Sequence, residues 1–194
     1  MEIVQKKRSN IHTFSFEEEY FNFAFADKTG TGNTDIRYAD FPKKFSTRID
    51  QNDWLKNVGY LWCALGVFQL GFAMYSGESL SGKAFWLSVG LTALVWARFS
   101  KVVYTVFSTE EGSVFVIQGK RHDEIIDEIN SRRKQQLMRW YGDINAENDL
   151  ETEINKFNWL VDQEILSREE SNTKIAQARL LLSDSFSSSS DLLN

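Results

Sequence analysis

Asn57–Gly77 reads NVGYLWCALGVFQLGFAMYSG, a run of 21 residues without a formal charge. A helix rises about 1.5 Å per residue, so a helix of this length crosses the roughly 30 Å hydrocarbon core of a bilayer. A polar connection, Glu78–Lys83, leads to a second apolar run, Ala84–Ala97, which has only 14 residues. Long basic side chains flank the shorter run and can reach the headgroups, which extends its span. The two runs predict a transmembrane helical hairpin over residues 56–101.

The alternative is a buried helical hairpin in a soluble protein, since a short apolar run also fits a globular core. Basic residues are more frequent outside the two runs than in their connection, which holds only Lys83. Because positive charge favours the cytoplasmic side, the asymmetry predicts a multi-pass protein with both termini in the cytoplasm. The basic residues outside the runs are Lys43, Lys44, Arg48, Lys56, Arg98 and Lys101.

Each apolar run carries small residues at helical spacing, which allows two helices to approach closely in lipid. They are Gly59, Cys63, Gly66 and Ala73 in the first run and Gly90, Ala93 and Ala97 in the second. Neither run contains an acidic or basic side chain, so we expect no proton or ion pathway in a single hairpin. A pore built from several copies remains open.

Charge and composition exclude several classes of protein. The 194 residues include 22 Lys and Arg against 27 Asp and Glu, a net charge of −5 that disfavours nucleic acid as a partner. One cysteine rules out a disulfide scaffold, and with two histidines it also rules out a Cys/His zinc site. We therefore expect no metal and no cofactor.

The segments on both sides of the hairpin predict strands and one long helix, which together give an α+β membrane protein. Neither flank alone supplies enough predicted strands for an independent sheet, so we expect one small antiparallel β-domain built from 1–55 and 102–142. The hairpin is then inserted between the two halves of this domain. The expected strands are Phe14–Phe16, Tyr20–Ala26, Thr34–Phe41, Val102–Phe107 and Ser113–Ile117, and the helix is His122–Tyr141.

The remaining residues predict an acidic helical pair over 143–182. Apolar residues at helical spacing indicate a first helix over about 150–162. Ser167-Arg-Glu-Glu170 is a capping-box pattern, which predicts a second helix from there to about Leu182. Residues 183–194 are rich in serine, and we expect them to be disordered.

Two stretches resemble known modules. Tyr104–Ile117 followed by His122–Ile129 is similar to the end of a bacterial pleckstrin-homology-like domain, in which strands end in a single C-terminal helix. Ile36–Phe41 resembles the opening half of that domain. The resemblance implies that the membrane hairpin interrupts one pleckstrin-homology-like fold.

Ile154–Leu182 resembles the short helical-pair module called SHOCT, with Glu164 where that motif usually has Gly and Ser171 where it often has Phe. Proteins of both types are mostly interaction modules on membrane-anchored or oligomeric bacterial proteins. The resemblance implies a non-enzymatic interaction and oligomerisation module, anchored in the bacterial inner membrane. A ligand-sensing membrane effector or regulator in defence or toxin immunity is the alternative.

Asp27-Lys-Thr-Gly-Thr31 matches the phosphorylated signature of P-type ATPases, in which the aspartate accepts a phosphoryl group. The family continues with Leu-Thr, whereas Gly32-Asn33 follows here. The chain is also too short for the catalytic domains of that family. Two glycines and an asparagine indicate a β-turn instead, and we expect no catalytic residue.

Two sets of residues are candidates for binding. A basic set can contact anionic lipid or a small anionic ligand, or it can be a solvated helix face that balances nearby acidic residues. An apolar set on the C-terminal helices needs a second surface, either its own β-domain or another copy or protein. The basic set is Lys120, Arg121, Arg132, Arg133 and Lys134, and the apolar set is Leu150, Ile154, Phe157, Val161, Ile175 and Leu182.

Overall fold

The computed structural model describes residues 1–27 and 30–190, with side chains as far as Leu182. These residues form two antiparallel sheets and five α-helices, which confirms the α+β class. Contacts divide the chain into two compact units. The first unit holds Met1–Phe45, Phe107–Val114 and the chain from Lys120 onwards, and the second holds Ser46–Val106 and Phe115–Gly119.

The first sheet is a four-stranded antiparallel meander in which each strand pairs with the next. Residues alternate along the strands, so large apolar side chains line the inner face, where Gln5, Asn10 and His12 are also buried. The fully or nearly fully buried apolar side chains are Ile3, Phe14, Phe16, Phe21, Phe23 and Ile36. The strands are β1 (Glu2–Lys7), β2 (Asn10–Phe16), β3 (Tyr20–Asp27) and β4 (Gly30–Arg37).

The expectation that neither flank supplies enough strands is wrong for the N-terminal flank, which forms this sheet from consecutive strands. Strand β1 escaped prediction because EIVQKK offers only two apolar residues, Ile3 and Val4. Strand β4 begins at Gly30 and not at Thr34, because its first residues are small or polar. Gly32 leaves room there for the ring of Phe25 on β3, because a Cβ at this position would lie 2.6 Å from the Phe25 Cζ and the ring would have to move.

The second sheet joins residues from both sides of the apolar hairpin. It contains β5 (Ser46–Asp50), β6 (Val102–Ser108) and β7 (Ser113–Ile117), in the order β5-β6-β7. Antiparallel pairing sets Asp50 opposite Val102, so the hairpin leaves and returns between two neighbouring strands. All five residues of the edge strand β5 are exposed, and it therefore lacks the alternation that predicts a strand.

A short 3₁₀ helix, η1 (Tyr38–Asp40), precedes five α-helices. Helices α3 and α4 have the predicted bounds, and the capping box at Ser167 opens α5 as expected, with reciprocal hydrogen bonds between Ser167 and Glu170. Helix α5 extends into the serine-rich segment that we expected to be disordered, and 191–194 lie outside the described residues. The helices are α1 (Asp53–Ser76), α2 (Phe85–Phe99), α3 (His122–Tyr141), α4 (Leu150–Asp162) and α5 (Arg168–Ser190).

Helix α3 is tied to the first sheet by two polar side chains one turn apart. Arg132 donates to the Glu17 carbonyl at 2.7 Å, and its guanidinium lies 5.8 Å from the ring centre of Tyr38. Gln136 accepts a hydrogen bond from the Ala39 amide at 2.7 Å and donates to the Glu19 carbonyl at 2.8 Å. Such paired polar contacts satisfy backbone groups of η1 and of the β2–β3 loop.

The C-terminal helices α4 and α5 pack on α3 within the same unit. Ala39 of η1 and Ile144 of the α3–α4 loop add to the edge of their core. Burial of this kind contributes about 25 cal/mol for each Å² of apolar surface removed from water. The buried members of the core are Leu137, Phe157, Leu160, Ile165, Leu166 and Ala178.

Candidate functional site

The most unusual surface in the structure belongs to the helical hairpin of α1 and α2. Helix α1 begins where the Asn52 side chain accepts a hydrogen bond from the Leu55 amide at 3.0 Å. It ends at Gly77, whose φ of 68° is the left-handed geometry common at helix C-termini. Between the two caps it has 24 residues, and only 17% of its most apolar stretch is buried.

Small residues hold the two helices together. A Cβ added to Gly59 would lie 2.8 Å from Leu94, and one added to Gly66 would lie 2.7 Å from the Leu87 Cα. One added to Gly90 would lie 2.6 Å from the Cys63 amide nitrogen. The contact therefore needs glycine on both helices, as predicted from the small residues.

Large apolar side chains point away from the hairpin. Phe68 is 73% exposed and Phe72 is 56% exposed, although both are in the middle of the apolar run. A soluble helical hairpin would bury its large side chains and expose its small or polar ones. Here the small residues are inside and the large ones outside, which suits a surrounding of lipid.

The second helix is shorter than the first, so the two-span hairpin predicted from the sequence is not confirmed. Within the described residues, α1 is the one helix both long and apolar enough to cross a membrane, whereas α2 has 15 residues. The glycine contacts fix how the two antiparallel helices are aligned along their axes. In this alignment Phe85 lies at the same height along the hairpin as Phe68. The last two turns of α1 therefore extend past the start of α2.

The connection between the helices carries its own ion pair. Lys83 and Glu78 are 2.9 Å apart, which closes the loop after Gly77. At the opposite end of the hairpin, the same alignment places Trp54 level with Phe99, and these side chains are 71% and 81% exposed. Tryptophan side chains favour the membrane–water interface because they join an apolar ring to a polar N–H group.

The basic set predicted on α3 is largely used inside the protein. Arg121 pairs with Glu124 at 2.8 Å, and Arg132 pairs with Glu128 at 2.6 Å in addition to its contacts with the first sheet. Arg133 is 7% exposed and donates to Gln163, so it cannot reach a membrane surface or a free ligand. Among the described contacts, only Lys120 and Lys134 of this set have no ionic partner and are exposed.

Burial around α3 also shifts two pKa values. Burial lowers the pKa of the Arg133 guanidinium, and the nearby Glu164 carboxylate partly offsets this effect. Burial raises the pKa of Tyr38 to about 12, against the opposing effect of Arg132. Both shifts come from structural packing, since Tyr38 and Arg133 are buried.

The apolar set predicted on the C-terminal helices finds its second surface in the same chain. Phe157 is fully buried and Leu182 is 6% exposed. Leu150, Val161 and Ile175 pack at the edge of the same core, where Leu137 of α3 is the central contact. The sequence left two covers possible for this apolar set, the β-domain of the same chain or another copy or protein. Contacts within the same chain cover it. Ile154 is half-buried beside these contacts.

The ATPase-like string lies at the turn between β3 and β4. Asp27 ends β3 opposite Gly30, and its carboxylate accepts a hydrogen bond from the Gly30 amide at 3.1 Å. Lys28 and Thr29 lie outside the described residues. Nor do three or more His, Cys, Asp or Glu side chains form a metal-binding group within the described ranges.

Comparisons of this chain with protein-family models, with curated proteins and with solved structures find no match. The functional argument therefore depends on the hairpin and on the charges beside it. Four basic side chains at the ends of the hairpin helices and on β5 served in the sequence analysis as indicators of orientation or as flanking residues that reach the headgroups. They are Arg48, Lys56, Arg98 and Lys101.

Proposed function

We propose that this protein is a non-enzymatic interaction module anchored in the bacterial inner membrane by the α1–α2 hairpin. The observation that carries the proposal is the arrangement of side chains in the hairpin. Gly59, Gly66 and Gly90 close the helix contact, while Phe68 and Phe72 face outward. An outward apolar surface on two packed helices would be an aggregation hazard in water and is stable in lipid.

We propose further that both helices cross the bilayer. Helix α1 spans about 36 Å and α2 about 22 Å at 1.5 Å per residue. Local thinning of the bilayer and the long side chains of Lys83 and Arg98 can accommodate the shorter helix. The excess of basic residues at the β5 and β6 end supports a topology with both termini in the cytoplasm.

The parts outside the hairpin support an interaction role. Seven strands in two antiparallel sheets precede α3, which agrees with the resemblance to a pleckstrin-homology-like domain. Glu164 stands where a SHOCT motif usually has Gly, and its φ of 60° is the conformation that favours glycine. Because Phe157 and Leu182 are already covered within the chain, a homo-oligomer or a protein partner would use other surfaces.

Membrane anchoring can be tested by fractionating cells that express the full chain. We expect the protein in the inner-membrane fraction and its retention in the membrane after carbonate washing at high pH. A variant lacking 57–97, with a short Gly-Ser linker between the strands, is the control and should leave the membrane fraction. Recovery of the intact protein in the soluble fraction without detergent would contradict the anchor.

The two-span topology needs a separate test. Cys63 is the single cysteine, so a Cys63→Ala background allows one new thiol at a time. In intact spheroplasts, an impermeant maleimide should label Ser81→Cys in the connection but should label Ser9→Cys only after lysis. Protection of both thiols would instead indicate a hairpin that enters and leaves on the cytoplasmic side.

A further inference from the structure

The hairpin base is the set of residues where α1 begins, where α2 ends and along β5. Arg48 and Arg98 are exposed in it, and Lys56 and Lys101 are half-buried. It contains four basic side chains, Arg48, Lys56, Arg98 and Lys101, none of which forms an ion pair with the described residues. The basic residues that form ion pairs within the described chain are Arg37, Lys43, Lys83, Arg121, Arg132, Arg139 and Lys156.

Three observations within the second unit bring the hairpin base together. The alignment of the two helices places Trp54 level with Phe99, so Lys56 and Arg98 lie at one end of the hairpin. Strand pairing sets Asp50 opposite Val102, beside Lys101. Arg48, two residues away on β5, lies with its guanidinium 6.0 Å from the ring centre of Phe115.

The hairpin base also has exposed apolar side chains next to its charges. Trp54 is 71% exposed, Phe99 is 81% exposed and Ile49 is 49% exposed. This combination of cations with aromatic and aliphatic groups is what a lipid interface accommodates, because the rings enter the headgroup layer while the cations meet phosphates. Two carboxylates, Asp50 and Asp53, are nearby, so the cations remain in excess.

We propose that the hairpin base binds anionic phospholipid headgroups. The hairpin base, and not the basic set predicted around α3, is then the lipid contact of the protein. The inference rests on the proposed membrane anchor. The protein carries a net charge of −5, so attraction to an anionic leaflet must come from a local patch and not from the molecule as a whole. Each basic residue near such a surface adds attraction that salt weakens.

The test uses the full chain reconstituted in phosphatidylcholine vesicles with trace spin-labelled phosphatidylglycerol or phosphatidylcholine. Electron paramagnetic resonance measures how much of each labelled lipid is immobilised by the protein. We expect the anionic lipid to associate at least about three-fold more strongly than the neutral one, and this preference to fall in 0.5 M salt (roughly a 4 Å screening length).

Two matched variants locate the site. Replacing the four cations of the hairpin base with Gln should reduce the ratio to about one, whereas exchanging Arg and Lys among those positions should retain it. The control removes four exposed cations elsewhere and should keep the wild-type ratio. The control substitutions are Lys6→Gln, Lys120→Gln, Lys134→Gln and Arg168→Gln.

The outcomes separate this inference from the anchor. Immobilised lipid with equal association of both headgroups would overturn the headgroup inference and leave the anchor intact. Loss of preference in the control variant, or its retention in the Gln variant of the hairpin base, would also overturn it. Absence of any immobilised lipid would refute the anchor and the inference together.

Discussion

At the scale of single residues, the turn between α4 and α5 combines an unfavourable backbone conformation with a polar clamp. Glu164 has a φ of 60°, which is costly for a residue with a Cβ. Lys43 donates to the Glu164 carboxylate at 2.8 Å and to the Asp162 carbonyl at 2.9 Å, and Arg133 donates to Gln163. The clamp therefore supports a turn that glycine would adopt without strain.

At Glu164 a glycine variant should be more stable than an alanine variant, which is the reverse of the usual order. We expect Glu164→Gly to be more stable than Glu164→Ala by about 1 kcal/mol, because glycine removes the left-handed strain. The exposed ion pair with Lys43 contributes little to stability, so the glycine variant should be close to the wild type. Thermal unfolding in detergent, followed by circular dichroism, measures this difference. An alanine variant as stable as the glycine variant would contradict the strain argument.

Alanine substitutions of two serines at the start of α5 should change the stability of the protein in opposite directions. Ser171 is 1% exposed and its hydroxyl has no hydrogen-bond partner among the described residues, so Ser171→Ala should stabilise the protein by up to about 1 kcal/mol. Ser167 caps the helix by accepting from the Glu170 amide at 3.2 Å, so Ser167→Ala should destabilise it by about 1 kcal/mol. Chemical denaturation of both variants under one condition gives the comparison. Equal losses of stability in the two variants would show that the Ser171 hydroxyl forms a hydrogen bond in the folded protein.

Tyr38 should make stability fall at high pH. Its hydroxyl donates to the Glu17 carbonyl at 2.8 Å, and burial raises its pKa to about 12 from 10.0. A raised pKa in the folded state gives stability that is complete below pH 10 and is lost as pH rises towards 12. Wild type should therefore lose about 2 kcal/mol more than Tyr38→Phe over that range. Parallel stability curves for the two proteins would show that Tyr38 ionises as it does in the unfolded chain.

At the scale of elements, the α1–α2 contact depends on two backbones that approach closely. Gly66 lies against Leu87, whereas a Cβ at Gly71 would have nothing within 4 Å. The two glycines belong to the same helix, and they differ in whether a neighbour is present. They therefore separate the effect of packing from the general preference of a helix for alanine.

Gly66→Ala should weaken the hairpin, while Gly71→Ala should not. We expect the first to lower the unfolding temperature by several degrees, because the added methyl group must push Leu87 away. The second should leave the temperature unchanged or raise it, since alanine favours a helix by up to about 1 kcal/mol. Thermal unfolding of the detergent-solubilised protein provides the measurement. Equal shifts would mean that the helices do not pack through Gly66.

At the scale of the whole molecule, the C-terminal helices form part of the fold of the first unit. Their apolar stripe packs on Leu137 of α3 and reaches Ala39 of η1. A helix of 13 residues such as α4 would be marginal in isolation, and this contact gives α4 and α5 a surface to pack on. Contact between copies is therefore unnecessary to bury the stripe.

Phe157→Ala distinguishes packing within the chain from contact between chains. We expect a loss of about 3–5 kcal/mol in the free energy of unfolding, because the ring is fully buried. The mass of the solubilised protein, measured by light scattering, should remain that of the wild type. The neighbouring Asn158→Ala, at an exposed position, should change neither quantity. A smaller mass for Phe157→Ala, without a change for Asn158→Ala, would show that this apolar stripe forms a contact between copies.

Local patterns in the sequence were enough for several parts of the structure. The bounds of α3 and α4 follow from their apolar stripes and the acidic and basic residues at opposite ends of α3. The capping box at Ser167 and the small residues of the hairpin identified contacts that the structure contains. These features depend on residues three, four or seven positions apart, so a single sequence is sufficient to show them.

Other features are decided only by the tertiary structure, because they depend on residues that are distant in the chain. Strand β5 has no apolar alternation of its own and exists through its pairing with β6, about fifty residues away. Arg133 looks like a free surface cation in the sequence but is buried against Gln163. Whether a polar or apolar residue is available for binding depends on what the folded chain places over it, and local spacing does not contain that information.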